Sequence, residues 1–311
     1  MVKIGKTDIE TKKLGLGTNK VGGHNLFSDI TDENGYELLK EALYSGINFL
    51  DTAYAYGLGR SEEIIGDVIQ NYDRLKIILA TKGAQDPDKN GEINNDPEFL
   101  KKAVKSALKR LQTDYIDIFY IHFPDQDTPK DKAVAALNDL KQQGLIKAIG
   151  ISNFSLAQIK EANKNNQVDV VENKYSLLDR QDEKTLMPYL KQHQISFVPY
   201  LPLASGLLTG KYTNNDLNKF NASDGGKIFG KLSPDQFAKA IAGVEKVKNI
   251  AAKHNASTTQ TILAWYMANP DISVVIPGAR NAKQAKSTAD SLKVKLTSGE
   301  YKDIDQAFSG F

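Results

Sequence analysis

Cysteine is absent from this 311-residue chain, which removes disulfides, thiolate nucleophiles, Cys-ligated zinc and iron–sulfur clusters at once. Histidine is scarce, with four in all. No His-x-His pair occurs, so a hydrolase built on clustered metal ligands is not expected and no metal is assigned. Charge of one sign is also missing. Forty Lys and Arg stand against 38 Asp and Glu, a formal net charge of +2, leaving no global field to draw the chain to nucleic acid or an acidic membrane. No apolar run approaches the roughly 20 residues of a membrane span. The start, Met1 to Glu10, alternates charge and lacks the apolar core of a signal peptide. A cytoplasmic setting, a monomeric state and a small-molecule partner are the expectations that follow.

What is present is an ordinary globular composition, 41% hydrophobic and 25% charged, enough for a core and a solvated surface. Strand-like apolar runs fall at Leu14 to Thr18, Ile47 to Asp51, Lys76 to Lys82, Ile116 to His122, Ala148 to Asn153, Val170 to Tyr175, Ser196 to Tyr200 and Ile272 to Gly278. Between them lie stretches of helical period starting near Glu33, Ser61, Pro97, Lys130, Ser155, Lys184, Thr258 and Asn281. Pro234 to His254 is one helix more than the repeat needs. This alternation calls for a parallel sheet with crossover helices. An open doubly wound sheet would announce itself with a Gly-rich fingerprint after the first strand; here Gly15-Leu16-Gly17 has Lys20 where the third glycine belongs. The expectation is therefore an α/β protein, a (β/α)8 TIM barrel forming one domain over 1–311, with an N-terminal hairpin at its bottom and an extra helix before the last strand. Two long connections, Gly83 to Asp96 and Leu203 to Leu232, break the rhythm, and the second is a candidate lid.

In such a barrel chemistry sits at the carboxyl ends of the strands. Strand two ends at Asp51, strand three at Lys82 and strand four at His122, and the turn after strand two carries Tyr56. Each has a bland alternative: a turn cap, a surface cation, a satisfied core imidazole, a packed aromatic. Their coincidence on neighbouring strands favours a common cleft. There Lys82 would lower the pKa of the Tyr56 phenol, Asp51 would orient Lys82, and His122 would bind a substrate oxygen and assist proton delivery.

With these residues the chain resembles the aldo-keto reductases. The resemblance runs through Leu14-Gly15-Leu16-Gly17-Thr18, Asp51 to Gly57, Ala80-Thr81-Lys82, Tyr115-Ile116-Asp117 to Ile121-His122, Gly150 to Phe154, Tyr175 to Leu178 and Ile276-Pro277-Gly278. It is most similar to bacterial members found in inositol-catabolism operons. The resemblance implies NADPH-dependent reduction of an aldehyde or ketone, with Asp51, Tyr56, Lys82 and His122 as catalytic tetrad and Tyr56 as proton donor. It implies cofactor contacts at Gly17, Thr18, Ser152, Asn153, Glu172, Tyr200, Leu201, Leu203, Gly206, Lys211, Gly278, Arg280 and Gln284. Ser152 and Asn153 would hold the carboxamide, Tyr200 would stack on the ring, Leu203 to Lys211 would wrap the pyrophosphate, and Arg280 with Gln284 would meet the 2′-phosphate. Gly206 to Lys211 is one residue short of a P-loop, and Tyr212 stands where Mg²⁺ needs a hydroxyl. The same fold also occurs in cofactor-sensing potassium-channel β-subunits, the alternative function.

Two departures stand out. Glu172 replaces the family's glutamine and is expected beside the nicotinamide, favouring the oxidised ring unless Lys174 pairs with it. Ser287 and Thr288 replace the usual adenine contacts. His24, Asn25, Tyr54 and Phe123, with Phe27, are the candidates for the substrate pocket.

Overall fold

The structure, a computed structural model, describes residues 1–311. A hairpin of β1 (Val2–Lys3) and β2 (Glu10–Thr11) precedes β3 (Leu16–Gly17), β4 (Phe49–Asp51) and β5 (Ile78–Gly83). A second hairpin, β6 (Gln85–Asp86) and β7 (Glu92–Ile93), precedes β8 (Ile116–Ile121), β9 (Ile146–Ser152), β10 (Val170–Lys174) and β11 (Ser196–Tyr200). The parallel ladder runs β3-β4-β5-β8-β9-β10-β11. Helices α1 (Asp32–Tyr44), α2 (Arg60–Ile69), α3 (Pro97–Arg110), α4 (Lys130–Gln142), α5 (Leu156–Ala162) and α6 (Asp182–Gln192) are the crossovers. They are followed by α7 (Leu217–Ala222), α8 (Asp224–Phe229), α9 (Pro234–Lys253), α10 (Thr258–Ala268), α11 (Ala282–Asp290) and α12 (Ser298–Ala307).

The sheet closes into a (β/α)8 barrel through the segment 272–278, although that segment is not a regular strand. On one side Gly15 and Gly17 donate to the carbonyls of Val275 and Pro277, and Val275 donates to Lys13; on the other Ser273 donates to Phe197. Only the bridges Leu14↔Val275 and Gly17↔Gly278 remain of the expected eighth ladder. Pro277 has no N–H to give, so the segment accepts from Gly17 at this position but cannot donate back, and one ladder bond is lost.

Side chains alternate across the pleat, and the strands therefore sort their residues into two cores. Facing the axis, Phe49, Ile78, Ala80, Ile118, Tyr120, Ala148, Val170, Val198, Val274 and Ile276 form one buried cluster; Ile4 and Ile9 of the hairpin join it from below. Gly5 N donates to Ser196 Oγ at 2.8 Å, which pins the hairpin against the start of β11, so it does plug the bottom. A larger cluster fills the layer between sheet and helices, with the single tryptophan, Trp265, fully buried in it.

Helix starts lie within two residues of expectation because their capping signals are local. Ser155, Ser233 and Ser257 each accept from the backbone three residues on, with a glutamine reaching back. Pro97 and Pro234 occupy first-turn positions where no N–H is required. Helix α12, absent from the sequence-based expectation, uses Thr297 and Glu300 as its capping box. The connection 203–232, expected as a loop, contains α7 and α8, because Phe220 and Phe229 bury themselves with Tyr212 and Phe237. It is tied to the barrel by Lys174, whose Nζ donates to Phe229 O at 3.0 Å.

Gly150 faces the axis, where an added Cβ would lie 2.2 Å from the Tyr120 ring. The ring is fully buried and has nowhere to retreat. Gly150→Ala is expected to cost about 1–3 kcal/mol in overpacking; a urea midpoint equal to wild type would show that the inner core can yield.

Candidate active site

The alternation that builds the inner core also delivers the chemistry. Two residues beyond Phe49 on the inward face is Asp51; beyond Ile78 and Ala80 is Lys82; beyond Ile118 and Tyr120 is His122. Ala148 and Gly150 lead to Ser152, Val170 to Glu172, and Val198 to Tyr200. Adjacent strands hold these ends level: Asp51 pairs with Ala80, Lys82 with Tyr120, and Ser152 with Glu172. All of them reach the top of the barrel together.

Lys82 is fully buried and donates to Asp51 Oδ1 and, at 3.1 Å, to Thr52 O. Its ammonium also lies 3.3 Å from Glu172 Oε1 and 5.6 Å from the centroid of the Tyr56 ring. Burial alone would lower the lysine pKa, but Asp51 and Glu172, with Tyr56, raise it above the usual value, so the ammonium is permanent. Tyr56 meets His122 edge-on at 6.3 Å between ring centroids, and Phe123 stacks on His122 at 4.5 Å. Burial, and then the Lys82 charge, hold the His122 pKa well below normal; the imidazole is neutral. Its Nδ1 is buried without a partner.

Tyr56 corrects one expectation. Burial pushes its phenol up to about 12; Lys82 opposes this, while Asp51, Glu172 and Tyr200 add to it. The ammonium therefore offsets part of the desolvation instead of bringing the phenol towards neutrality. Tyr56 holds its proton across the neutral range.

Several of the expected contact residues have partners within the chain. Glu172 is buried and turned to Lys82, whereas Lys174 pairs with Asp179 at 3.3 Å. Thr18 is fully buried, its hydroxyl given to Asp51 O, so it braces the end of β4. Tyr54 turns away from the mouth and lies beneath the Arg110 guanidinium, beside a cavity of about 120 Å³ that Glu62 and Phe99 also line. His24 is bound to Asp32 at 2.6 Å. Asn25 is a latch: its Nδ2 donates to Ala55 O and its Oδ1 accepts from Gly57 N, on either side of Tyr56.

Other residues surround a path suited to a dinucleotide. Tyr200 Oη donates to Asn153 Oδ1 at 2.7 Å, and Asn153 adopts φ +63° at the end of β9, with its Nδ2 on His122 O and Ser152 Oγ. Leu201, Ala204, Ser205 and Gly206 also have positive φ, so the chain beyond Leu203 turns tightly. Gly206 approaches the Lys211 side chain, and Gly17 and Gly278 face each other across the barrel closure. Gln284 accepts from Arg280 N, and the exposed Arg280 guanidinium meets Asp29 at 2.9 Å. Sequence reasoning missed Lys20, whose buried Nζ has no hydrogen-bond partner. Burial and then repulsion by Arg280 lower its pKa to about 8, with Asp29 and Asp224 opposing. An ammonium that lies over the Phe27 ring and has no hydrogen-bond acceptor, near a guanidinium and with the buried unpartnered hydroxyl of Ser205, fits the phosphates of a nicotinamide dinucleotide. Its signal in sequence was position alone, two residues after Thr18.

A protonated phenol and a neutral imidazole at a barrel mouth that fits such a cofactor define the equipment of a carbonyl oxidoreductase. Residues 13–308 match the model of the Aldo/keto reductase family, and the chain belongs to that family. It is 32% identical over 305 residues to aldo-keto reductase YhdN of Bacillus subtilis, covering 97% of this chain and 91% of that one. It is 30% identical to the NADH-specific methylglyoxal reductase of Escherichia coli, covering 96% and 95%. Among solved structures, the glycerol dehydrogenase AKR11B4 of Gluconobacter oxydans superposes with a TM-score of 0.86 at 29% identity, over 99% of this chain and 95% of that one.

Because Asn25 fixes the Tyr56 turn from outside the core, Asn25→Ala should lower kcat about tenfold while stability changes by less than about 1 kcal/mol. A kcat equal to wild type on any carbonyl substrate would show the latch to be idle.

Proposed function

We propose that the chain reduces a small aldehyde or ketone to the alcohol at the expense of NADPH, with Tyr56 as the proton donor. The observation that carries this is the enclosed Lys82 ammonium set between Asp51 and the phenol of Tyr56, with neutral His122 edge-on to that phenol. Bound along the path from Tyr200 to Arg280, the reduced nicotinamide would supply the hydride to the carbonyl carbon. The substrate oxygen, gaining negative charge, takes the proton of Tyr56 Oη. His122 Nε2 donates a hydrogen bond to the same oxygen as a neutral group, since its Nδ1 is shut inside. The phenolate left behind is held by Lys82 until solvent returns a proton. One hydride and one proton thus convert C=O to CH–OH.

Asn153 and Ser152 present polar groups to the carboxamide, and Tyr200, fixed by its bond to Asn153, supplies the stacking face. Arg280 and Lys20 supply the cationic charge for phosphate, and an exposed guanidinium free to exchange Asp29 for a 2′-phosphate supports NADPH over NADH. Phe123 over His122 gives the substrate side an apolar wall. A panel of aldehydes and ketones that includes inosose-like sugars, followed by loss of NADPH absorbance, tests the reading.

Tyr56→Phe should lower turnover by at least about a hundredfold while NADPH still binds in a fluorescence titration; turnover equal to wild type would refute the donor. Arg280→Ala should weaken NADPH about tenfold, the loss of one charge-assisted contact on an exposed side chain, and leave NADH nearly untouched. Equal weakening of both dissociation constants would remove Arg280 from the choice of cofactor.

A further inference from the structure

Lys82 has one more counter-ion than its charge requires. Asp51 and Glu172 both address its ammonium, both are almost wholly buried, and no other cation shares the site. Each carboxyl has one oxygen, Asp51 Oδ2 and Glu172 Oε2, that is buried with no hydrogen-bond donor. The two carboxyls meet on one ammonium, Asp51 Oδ1 accepting from Lys82 Nζ and Glu172 Oε1 lying 3.3 Å from the same atom, which brings the acidic groups together. Two acceptors facing each other are a repulsion unless a proton lies between them.

We propose that Asp51 and Glu172 share one proton, resident on Glu172, so that Lys82 is balanced by a single negative charge and Glu172 acts as a positioning residue for the Lys82–Tyr56 pair. The proton accounts for both orphaned oxygens, because Glu172 then donates to Asp51 in place of the amide hydrogen a glutamine would offer. It also removes an excess negative charge from a site closed to water, where like carboxylates cannot both ionise at neutral pH. Burial, then Asp51, raise the Glu172 pKa well above the ordinary carboxyl range against the pull of Lys82, in the same sense.

The neighbours leave no other candidate for balancing the charge. Facing Lys82 are Asp51 from β4, Tyr56 from the turn beyond it, Tyr120 from β8 and His122 just after it, Glu172 from β10 and Tyr200 from β11. The inward residues of β9 and of the closing segment, Ser152 and Ile276, do not titrate. Lys174, next inward on β10, is engaged by Asp179 and Phe229. When the shared proton leaves at high pH, a second carboxylate bears on Lys82 and the phenolate of Tyr56 is disfavoured. Protonation of a carbonyl oxygen needs the phenol intact, whereas alcohol oxidation needs the phenolate as base; the pair therefore opposes oxidation on the alkaline side. This last step rests on the proposed role of Tyr56, but the shared proton does not.

Infrared spectroscopy of the protein without cofactor or substrate tests the proton directly. At neutral pH the wild type should show the C=O stretch of an un-ionised carboxyl, shifted in D₂O. That band should vanish in Glu172→Gln, and also in Asp51→Asn, where the remaining carboxyl forms a simple ion pair with Lys82. The two variants report independently, so either one that folds decides. A wild type without the band, or a band surviving either substitution, overturns the shared proton. With cofactor and an alcohol, the rise of oxidation rate with pH should begin about one pH unit lower in Glu172→Gln; an unmoved rise overturns the effect on Tyr56. Loss of the infrared band in the two carboxyl variants, together with full turnover in Tyr56→Phe, would instead refute the donor role and leave the shared proton standing.

Discussion

An ammonium enclosed by a barrel wall must be answered by negative charge, because removing such an ion from water costs several kcal/mol even after relaxation. Lys82 imposes that constraint here. It requires Asp51 on the next strand, it recruits Glu172 from across the barrel, and its charge helps keep His122 neutral. Tyr120, packed below with its ring 5.6 Å from the same ammonium, fills the space that would otherwise admit water. The acid–base properties of the mouth are consequences of how one cation is neutralised.

The pleat makes this arrangement possible. A period of two residues carries each strand from an apolar inner layer to a polar one without any change of direction. The apolar layer holds the level of the polar one: Ile78 and Ala80 set the height of Lys82, and Ile118 and Tyr120 set that of His122. Loops then add what strands cannot. The turn carrying Tyr56 is held by Asn25 from the preceding connection, and the segment bearing Phe229 is held over the mouth by Lys174.

Much of this could be read from the chain. Strand-end positions put Asp51, Lys82 and His122 together, and the alternation of apolar runs with helices led to the barrel. Other features depended on partners distant in sequence. Glu172 was assigned to the cofactor by likeness to relatives, although its parity with Val170 already directed it inward, to the layer of Lys82. The phenol's acidity was misjudged because desolvation depends on what surrounds a group, and Tyr56 gains its enclosure from several elements. Tyr54, two residues from Tyr56, was expected at the mouth; its ring instead found Arg110, a choice made by α3. The eighth strand was interrupted by Pro277, visible in sequence but outweighed by its β-branched neighbours. Helices α7 and α8 hid in a Gly- and Asn-rich stretch because two buried phenylalanines, not propensity, hold them.

The way the barrel shuts has a consequence for how the chain folds. The hairpin at its start is anchored on Ser196, and β3 is completed only by the segment around Val275. Until nearly the whole chain has been synthesised, β3 and β11 are sheet edges with unpaired backbone, and Ile4 and Ile9 have no interior to enter. Such long-range closure is slow, since the entropy of a large loop is lost before any contact repays it. The nascent protein thus passes through an open-edged form in which a neighbouring chain's strand can compete with its own residues for the vacant seam.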